Sequence, residues 1–430
     1  AFYAQDEWNV NEDFKLTYGI RFDKPLYFDT ADMVRENIER KGGASGTYIP
    51  SISYTDPANN SPVLLDSEQM PTNKFLVSPR VGFNWDVNGD ATTQLRGGSG
   101  LFTGRFPFVW LGNHVQGVDF FFYQPMDPDY QFPQVWRTNI GLDHRFENGL
   151  LLTADLSYTK DTNAAHVQNW GLSAPSGRLN GIDNREVYTN EDKSQIFGGP
   201  TNAYVFTNSD KGRVINASFK LSKTFDNGLY TQLAYSYLDA REVNSIEAEI
   251  TGDAFAGNPV VGNANNDVLG CSKYGDKHRV IGVMSKKLGK ATTISSFFEY
   301  AQGGRFNYIY GGDINNDGSG INDLIYIPTP SELSQMNFSG AGQAQAFENF
   351  IQQDDYLSAN RGSYAERYAA LSRWRSSWDV KVLHDIKVSG DNVLQLSLDV
   401  LNFGNFLNSN WGVVDAPAFN QLLGVQVSDG

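Results

Sequence analysis

The chain has 430 residues, 34 of them basic and 49 acidic, giving a net charge of −15. No basic tract stands out to neutralise phosphates, which argues against nucleic acid as a partner, and the single cysteine, Cys271, excludes an internal disulfide and any multi-cysteine metal site. No apolar run reaches the roughly 18 residues of a transmembrane helix, but 13% aromatic residues and 42 glycines fit an all-β chain rich in turns, and barrel strands cross a membrane with alternating rather than continuous hydropathy.

The chain opens directly in strand-like sequence, AFYAQDEWNV, with no leader. It reads as a piece of a longer protein whose start is missing. Next, in FKLTYGIRFD (14–23), Phe14, Leu16, Tyr18, Ile20 and Phe22 share one face, and Lys15, Thr17, Gly19, Arg21 and Asp23 share the other. This is period two over a length suited to a bilayer, where a tilted strand needs roughly 9–11 residues.

The pattern recurs at Val81, Phe83, Trp85 and Val87; at Leu150, Leu152, Ala154, Leu156 and Tyr158; and at Ala217, Phe219 and Leu221. It returns at Trp378, Val380, Val382, Ile386 and Val388, and at Leu394, Leu396, Leu398 and Val400. Turn signals fall near 11, 89, 148, 227, 289 and 390, several of them Asn-Gly pairs that tolerate positive φ. Between them lie long polar connections at 25–74, 103–134, 161–210, 241–276 and 303–374.

Short turns alternating with long loops are the asymmetry of an outer-membrane barrel, with short periplasmic turns and long extracellular loops. The expectation is therefore a single all-β domain over 1–430, a large antiparallel transmembrane barrel. It holds about twelve strands, or about fourteen if 306–312 and 323–328 extend the wall. A soluble carbohydrate-binding sandwich or propeller is the rival. One amphipathic helix is expected within 342–362, with Ala344, Phe347, Phe350, Ile351 and Leu357 on a shared face.

Three constellations carry candidate chemistry. In DINNDGSGINDLIYIP (313–328), Asp313, Asn315 and Asp317 alternate before Gly318, as in the first half of an EF-hand loop, with Asn322 and Asp323 as late ligands. The twelfth position is Leu324 rather than a carboxylate, and a strand follows. A structural calcium and a metal-free Asx turn both remain open. In 102–125 the aromatics Phe106, Phe108, Trp110, Phe120, Phe121, Phe122 and Tyr123 are dense enough for a substrate-contacting wall or for packing between loops. The histidines His114, His144, His166, His278 and His384 are dispersed without metal spacing, and no nucleophile motif stands out, so no enzyme is expected.

Several stretches together resemble a TonB-dependent outer-membrane receptor of the Oar-like group of Bacteroidota. These are FYAQDEWNVNEDFKLTYGIRFDKP, SPRVGFNWDVNGDATTQLRGGSGLFTGRFPFVWLGN, GDINNDGSGINDLIYIP and NRGSYAERYAALSRWRSSWDVKV. The resemblance runs from residue 1 to about 410, and Tyr368 stands where the family often has Asn. It implies a 22-stranded barrel, of which this chain would hold part, with its own plug domain inside and energy from the TonB complex; outer-membrane lipids and a surface lipoprotein are the further partners expected. It implies uptake of a scarce bulky solute, whether peptide, glycan or chelate. Neither the plug nor a TonB-contacting segment is in the sequence. Arg80, Arg96 and Arg105 would then face the plug, and the mid-strand glycines of RGGSG (96–100) would admit its close approach. A passive porin or an adhesin-like barrel is the alternative.

Overall fold

The structure, a computed structural model, describes residues 1–40, 53–105, 108–120, 124–194, 202–415, 417 and 421–425. Twelve long strands follow one another in a single antiparallel sheet. They are β1 (Phe2–Asn9), β2 (Phe14–Asp23), β3 (Leu76–Asp86), β4 (Thr93–Thr103), β5 (Gln134–Arg145) and β6 (Leu151–Asp161). There follow β7 (Arg213–Thr224), β8 (Leu229–Glu242), β9 (His278–Leu288), β10 (Thr292–Gln302), β11 (Trp374–Ser389) and β12 (Asn392–Val400). A short strand, Gly270–Cys271, adds to the end of β8. Each strand pairs with its sequence neighbours, and β1 and β12 form the two edges, so the sheet stays open among the described residues.

The hairpin turns follow from local chemistry. In ENG and DNG alike, Gly149 and Gly228 take φ of 78° and 75°, which a side chain resists. Asn148 and Asn227 accept the backbone N–H two residues on, at 3.0 and 2.9 Å. Phe146 and Phe225 close the turns by donating to Leu150 and Leu229 at 2.9 and 2.8 Å. Each such turn locks the register of the strands it joins.

That register sorts the side chains. Across the sheet, Ile140 lies opposite Leu156, Leu156 opposite Ala217, Phe219 opposite Tyr235, Leu233 opposite Gly282, Phe298 opposite Trp378, and Val382 opposite Leu398. This face is apolar and open to its surroundings: Ile140, Leu156, Phe219, Leu233, Met284 and Leu398 are all exposed. A contiguous exposed apolar surface of this kind marks a face that meets a partner or a membrane.

The opposite face is polar and knit by ion pairs. Arg96 on β4 donates to Asp143 at 3.0 Å and reaches across β5 to Asp155 on β6 at 2.6 Å. Gly141 is the residue it crosses, and a Cβ there would stand 2.4 Å from the guanidinium. Gly141 is thus the gap that lets one arginine bridge three strands. Arg375 pairs with Asp276 at 2.7 Å, Arg279 with Glu299 at 3.0 Å and Lys381 with Asp399 at 3.0 Å.

The long connections all leave the same end of the strands and fold into a packed layer. Two departures from expectation lie here. Residues 306–312 and 323–328 do not extend the wall: Ile309–Gly311 pairs in parallel with Gln421–Gly424, and Tyr326–Ile327 pairs with Ser363–Tyr364. The helix expected in 342–362 is two helices, Gln343–Gln353 and Asp355–Ala359, because the Asp354 carboxylate caps the second by accepting from Leu357 N at 2.8 Å. Phe347 and Ile351 are buried on the first, and Leu357 on the second.

The two faces are tested by one pair of substitutions. Leu156→Arg, on the apolar face, is expected to cost roughly 2–4 kcal/mol, and Ser157→Arg, one residue on, within about 0.5 kcal/mol. Guanidinium unfolding of protein folded into lipid vesicles measures both, and equal costs would remove the distinction between the faces.

Candidate functional site in the loop layer

The loop layer has its own cores because the wall offers it none. One gathers Tyr308, Ile309, Ile325, Ile327, Ile351 and Leu357. A second joins Trp110, Met126, Val167, Phe206 and Phe255, and a third Val34, Ile38, Tyr54, Trp170 and Val205. The buried residues of the first all come from the connection before β11, with Leu179 and Val261 of two other connections packed against them, and the second and third each draw on more than one connection, so the loops are bound into one layer.

The aromatic stretch 102–125 is a packing element as far as it is described. Phe108–Phe120 forms a helix where the sequence reads as an aromatic loop. Trp110 is buried, its ring 4.7 Å from that of Phe206. Phe108 is 67% exposed, so the two aromatics do not share one surface. Phe120 ends the helix, and Phe106, Phe121, Phe122 and Tyr123 lie outside the described residues.

The three arginines separate. Arg80 lies on the polar face of β3 and donates to Gln5 at 2.7 Å. Arg96 spends its donors on Asp143 and Asp155 within the wall. Arg105 lies past the end of β4 and is exposed. The glycines of 96–100 also serve the wall itself: a Cβ on Gly97 would sit 2.7 Å from the Phe83 ring, and one on Gly100 2.8 Å from the Arg80 Cβ.

A cavity of about 1060 Å3 opens in this layer. Met336, Phe338, Phe347 and Phe350 give it an apolar lining, and Asp183 and Gln343 provide polar groups. Beside it lies a buried charge network that joins Asp183 and Arg185 to residues of a distant connection. The Arg185 side chain is fully buried. It donates to Asp183 at 3.0 and 2.8 Å, to Asp323 at 2.8 Å and to the Leu324 carbonyl at 2.6 Å. Its guanidinium lies 5.1 and 5.4 Å from the rings of Tyr310 and Tyr364. Both phenols donate to Asp183, at 3.2 and 3.1 Å. Burial pushes the Asp323 carboxyl up to about 7, against the pull of Arg185.

The Asp/Asn loop folds against this network. Asn315, Asp317, Asn322 and Asp323 are buried. Asp313 accepts from Asp317 N at 3.0 Å and Gly318 N at 2.9 Å. Burial pushes the Asp317 carboxyl up. Asp323 is committed elsewhere: one oxygen takes Arg185, and the other takes Ile314 N at 2.8 Å. The sequence finds the loop but not its neighbours, since Arg185 is 138 residues from Asp323.

A family comparison agrees with the wall over its first strands. Residues 1–121 match a family described as an outer membrane beta barrel domain. No curated protein matches the sequence. Among solved structures, the chain is similar to a mutant of the ferric enterobactin receptor PfeA of Pseudomonas aeruginosa, with 10% identity and a TM-score of 0.48 over 94% of this chain and 39% of that one. It is similar to the outer membrane transporter YddB of Escherichia coli, with 10% identity and a TM-score of 0.48 over 92% of this chain and 40% of that one. It is also similar to the siderophore receptor PirA of Acinetobacter baumannii, with 9% identity and a TM-score of 0.47 over 94% and 41%. The chain thus spans about two fifths of the length of these structures. The matched N-terminal strands and the later ones share one continuous sheet with one apolar face, and the sheet is the wall of an outer-membrane β-barrel.

Arg185→Met would leave Asp323 buried without its cation, and breaking such a pair costs about 3–5 kcal/mol. The loop layer is expected to become protease-sensitive while the wall keeps its β-sheet circular dichroism. Unchanged protease resistance would show that the network does not hold the layer together.

Proposed function

We propose that this chain is the barrel part of a TonB-dependent importer of the outer membrane, one of the Oar-like receptors of Bacteroidota, that captures a bulky solute in its loop layer. The observation that carries this reading is the packed layer itself. Connections from five hairpin gaps fold over one end of the wall around three apolar cores and a cavity of about 1060 Å3. Small-molecule pockets are usually roughly 300–1,000 Å3, so this one suits a large solute, whether peptide, glycan or chelate. A pore for free diffusion needs an open mouth, and a capture device needs a structured one.

The polar face of the wall would then line the lumen. Its charges are largely neutralised by pairs such as Arg96 with Asp143 and Asp155, and Arg375 with Asp276. A plug seated there would meet a wall that is hydrophilic but carries few unpaired charges, which suits a domain that must move. Arg80, whose hydrogen bond goes to the uncharged Gln5, is a wall arginine open to such a contact. The TonB complex would supply the energy, and a surface lipoprotein could close the loop layer from outside. The plug and the TonB complex rest on the motif resemblance, which runs from residue 1 to about 410.

The gated reading is tested by conductance. The intact gene product, purified from outer membranes, is expected to be electrically silent in planar bilayers and to open only when mild urea displaces a plug. Steady stepwise channels without urea would favour a passive porin.

A further inference from the structure

The loop 313–323 is held in shape by hydrogen bonds that need no ion. Asp313 accepts from Asp317 N and Gly318 N, and Asn315 Oδ1 accepts from Asp317 N at 3.1 Å. Two other features are not explained by turn geometry. The first is the Asp317 carboxylate, on a residue only 4% exposed. Its partners are all amides: Asn315 Nδ2 at 3.0 Å, Asn322 Nδ2 at 2.9 Å and Ser319 N at 2.8 Å. The nearby Asp313 adds a second negative charge. A buried carboxylate ordinarily has a cation.

The second feature is Asn322. It is fully buried, and its Oδ1 has no hydrogen-bond partner although its Nδ2 lies on Asp317. A buried amide oxygen left unmatched is costly. Turning this amide end for end would give up the Nδ2 bond to Asp317, would lose nothing at the Oδ1 end, and would bring an oxygen to the Asp317 carboxylate. That arrangement is unfavourable without a cation between the oxygens and favourable with one. Asn315 has no such freedom, because its Nδ2 also donates to the Gly262 carbonyl at 2.8 Å, but its Oδ1 already faces the turn.

We propose that Asp313, Asn315, Asp317 and Asn322 bind one calcium ion, with the Asn322 amide reversing to present its oxygen. The donor set is two carboxylates and two amides, all oxygen, as a hard cation requires. No group of three His, Cys, Asp or Glu side chains converges among the described residues, which leaves a transition metal without its usual ligands. Calcium accepts mixed carboxylate and amide oxygens in irregular geometry, and magnesium demands a regular octahedron. Asp323 is not part of the set, since Arg185 and Ile314 N occupy its oxygens. Leu324, at the twelfth position, belongs to the apolar core.

The ion would act as a staple between connections. The Asn315 carbonyl accepts from Tyr188 N at 2.8 Å, the Asn316 side chain donates to the Tyr188 carbonyl at 2.7 Å, the Ser319 hydroxyl donates to the Ala256 carbonyl at 2.9 Å, and the Asn322 carbonyl accepts from Val260 N at 2.8 Å. Three long connections, before β7, before β9 and before β11, therefore meet at this loop.

The test uses the full chain, folded in detergent micelles and washed with chelator, with calcium binding measured by equilibrium dialysis and loop opening by limited proteolysis. One calcium per chain is expected. At ten times the dissociation constant, cleavage in the three connections should slow about tenfold. Asp317→Asn should abolish binding. Asn322→Asp should tighten it and make the calcium-free protein more protease-sensitive, because a charged oxygen replaces the amide. Absence of stoichiometric binding at millimolar calcium would overturn the proposal. So would wild-type affinity in Asn322→Asp, a result that decides the matter even if Asp317→Asn does not fold.

Discussion

In hydrocarbon no water is present to satisfy a backbone N–H or C=O, so a membrane wall must pair every strand along its length. The rest of this structure depends on that constraint. Eleven consecutive antiparallel pairings run from β1 to β12. Because side chains alternate, a slip of one residue in any pairing would turn a strand's apolar set to the wrong face. The turns that prevent such slips, of which ENG and DNG share one geometry, therefore control which residues meet lipid and which meet the lumen.

The same alternation decides where charge can sit. Arg96 can bridge three strands only because Asp143, Asp155 and the gap at Gly141 all fall on its face. An arrangement of this kind cross-links the wall without placing a charge in lipid. It also absorbs the arginine, so that a residue with the sequence signature of a partner-binding cation is a structural one. The loop layer obeys different rules. Its connections must find apolar contacts with each other, and the result is three cores and a buried network centred on Arg185. That network is costly to assemble, and such buried charges fix one arrangement of the loops more than they add stability.

Most of the wall was legible in the sequence, for a physical reason. Period two and turn chemistry are local, and the wall is built from local pairings. The 14–23 strand has the expected bounds, and the six turns lie at the signals near 11, 89, 148, 227, 289 and 390. Legibility fails in the loop layer, where tertiary contact decides. FNYIYGG alternates like a wall strand, yet Tyr308, Ile309 and Tyr310 are all buried, so both of its faces pack within the layer. The 108–120 helix was hidden by its aromatic composition, and it places Trp110 in a core against Phe206. Asp354 divides a helical stretch that reads as continuous, by a capping bond visible only with Leu357 in place. Arg185 has one partner nearby in sequence, Asp183, but Asp323, Tyr310 and Tyr364, which bury and fix it, come from a connection more than a hundred residues away. The Asp/Asn loop is the reverse case: its spacing is conspicuous, but which of its side chains are available for an ion depends on that distant arginine.

The most direct measurement is a scan of single cysteines from Leu151 to Tyr158 on β6, in a background where the buried Cys271 is replaced by serine. Each would carry a fluorophore in lipid vesicles and be challenged with a lipid-phase and an aqueous quencher. The account requires strict alternation: positions 152, 154, 156 and 158 quenched from the lipid, and 151, 153, 155 and 157 quenched from water. Uniform aqueous quenching across the strand would contradict it, and the sheet would then be no membrane wall.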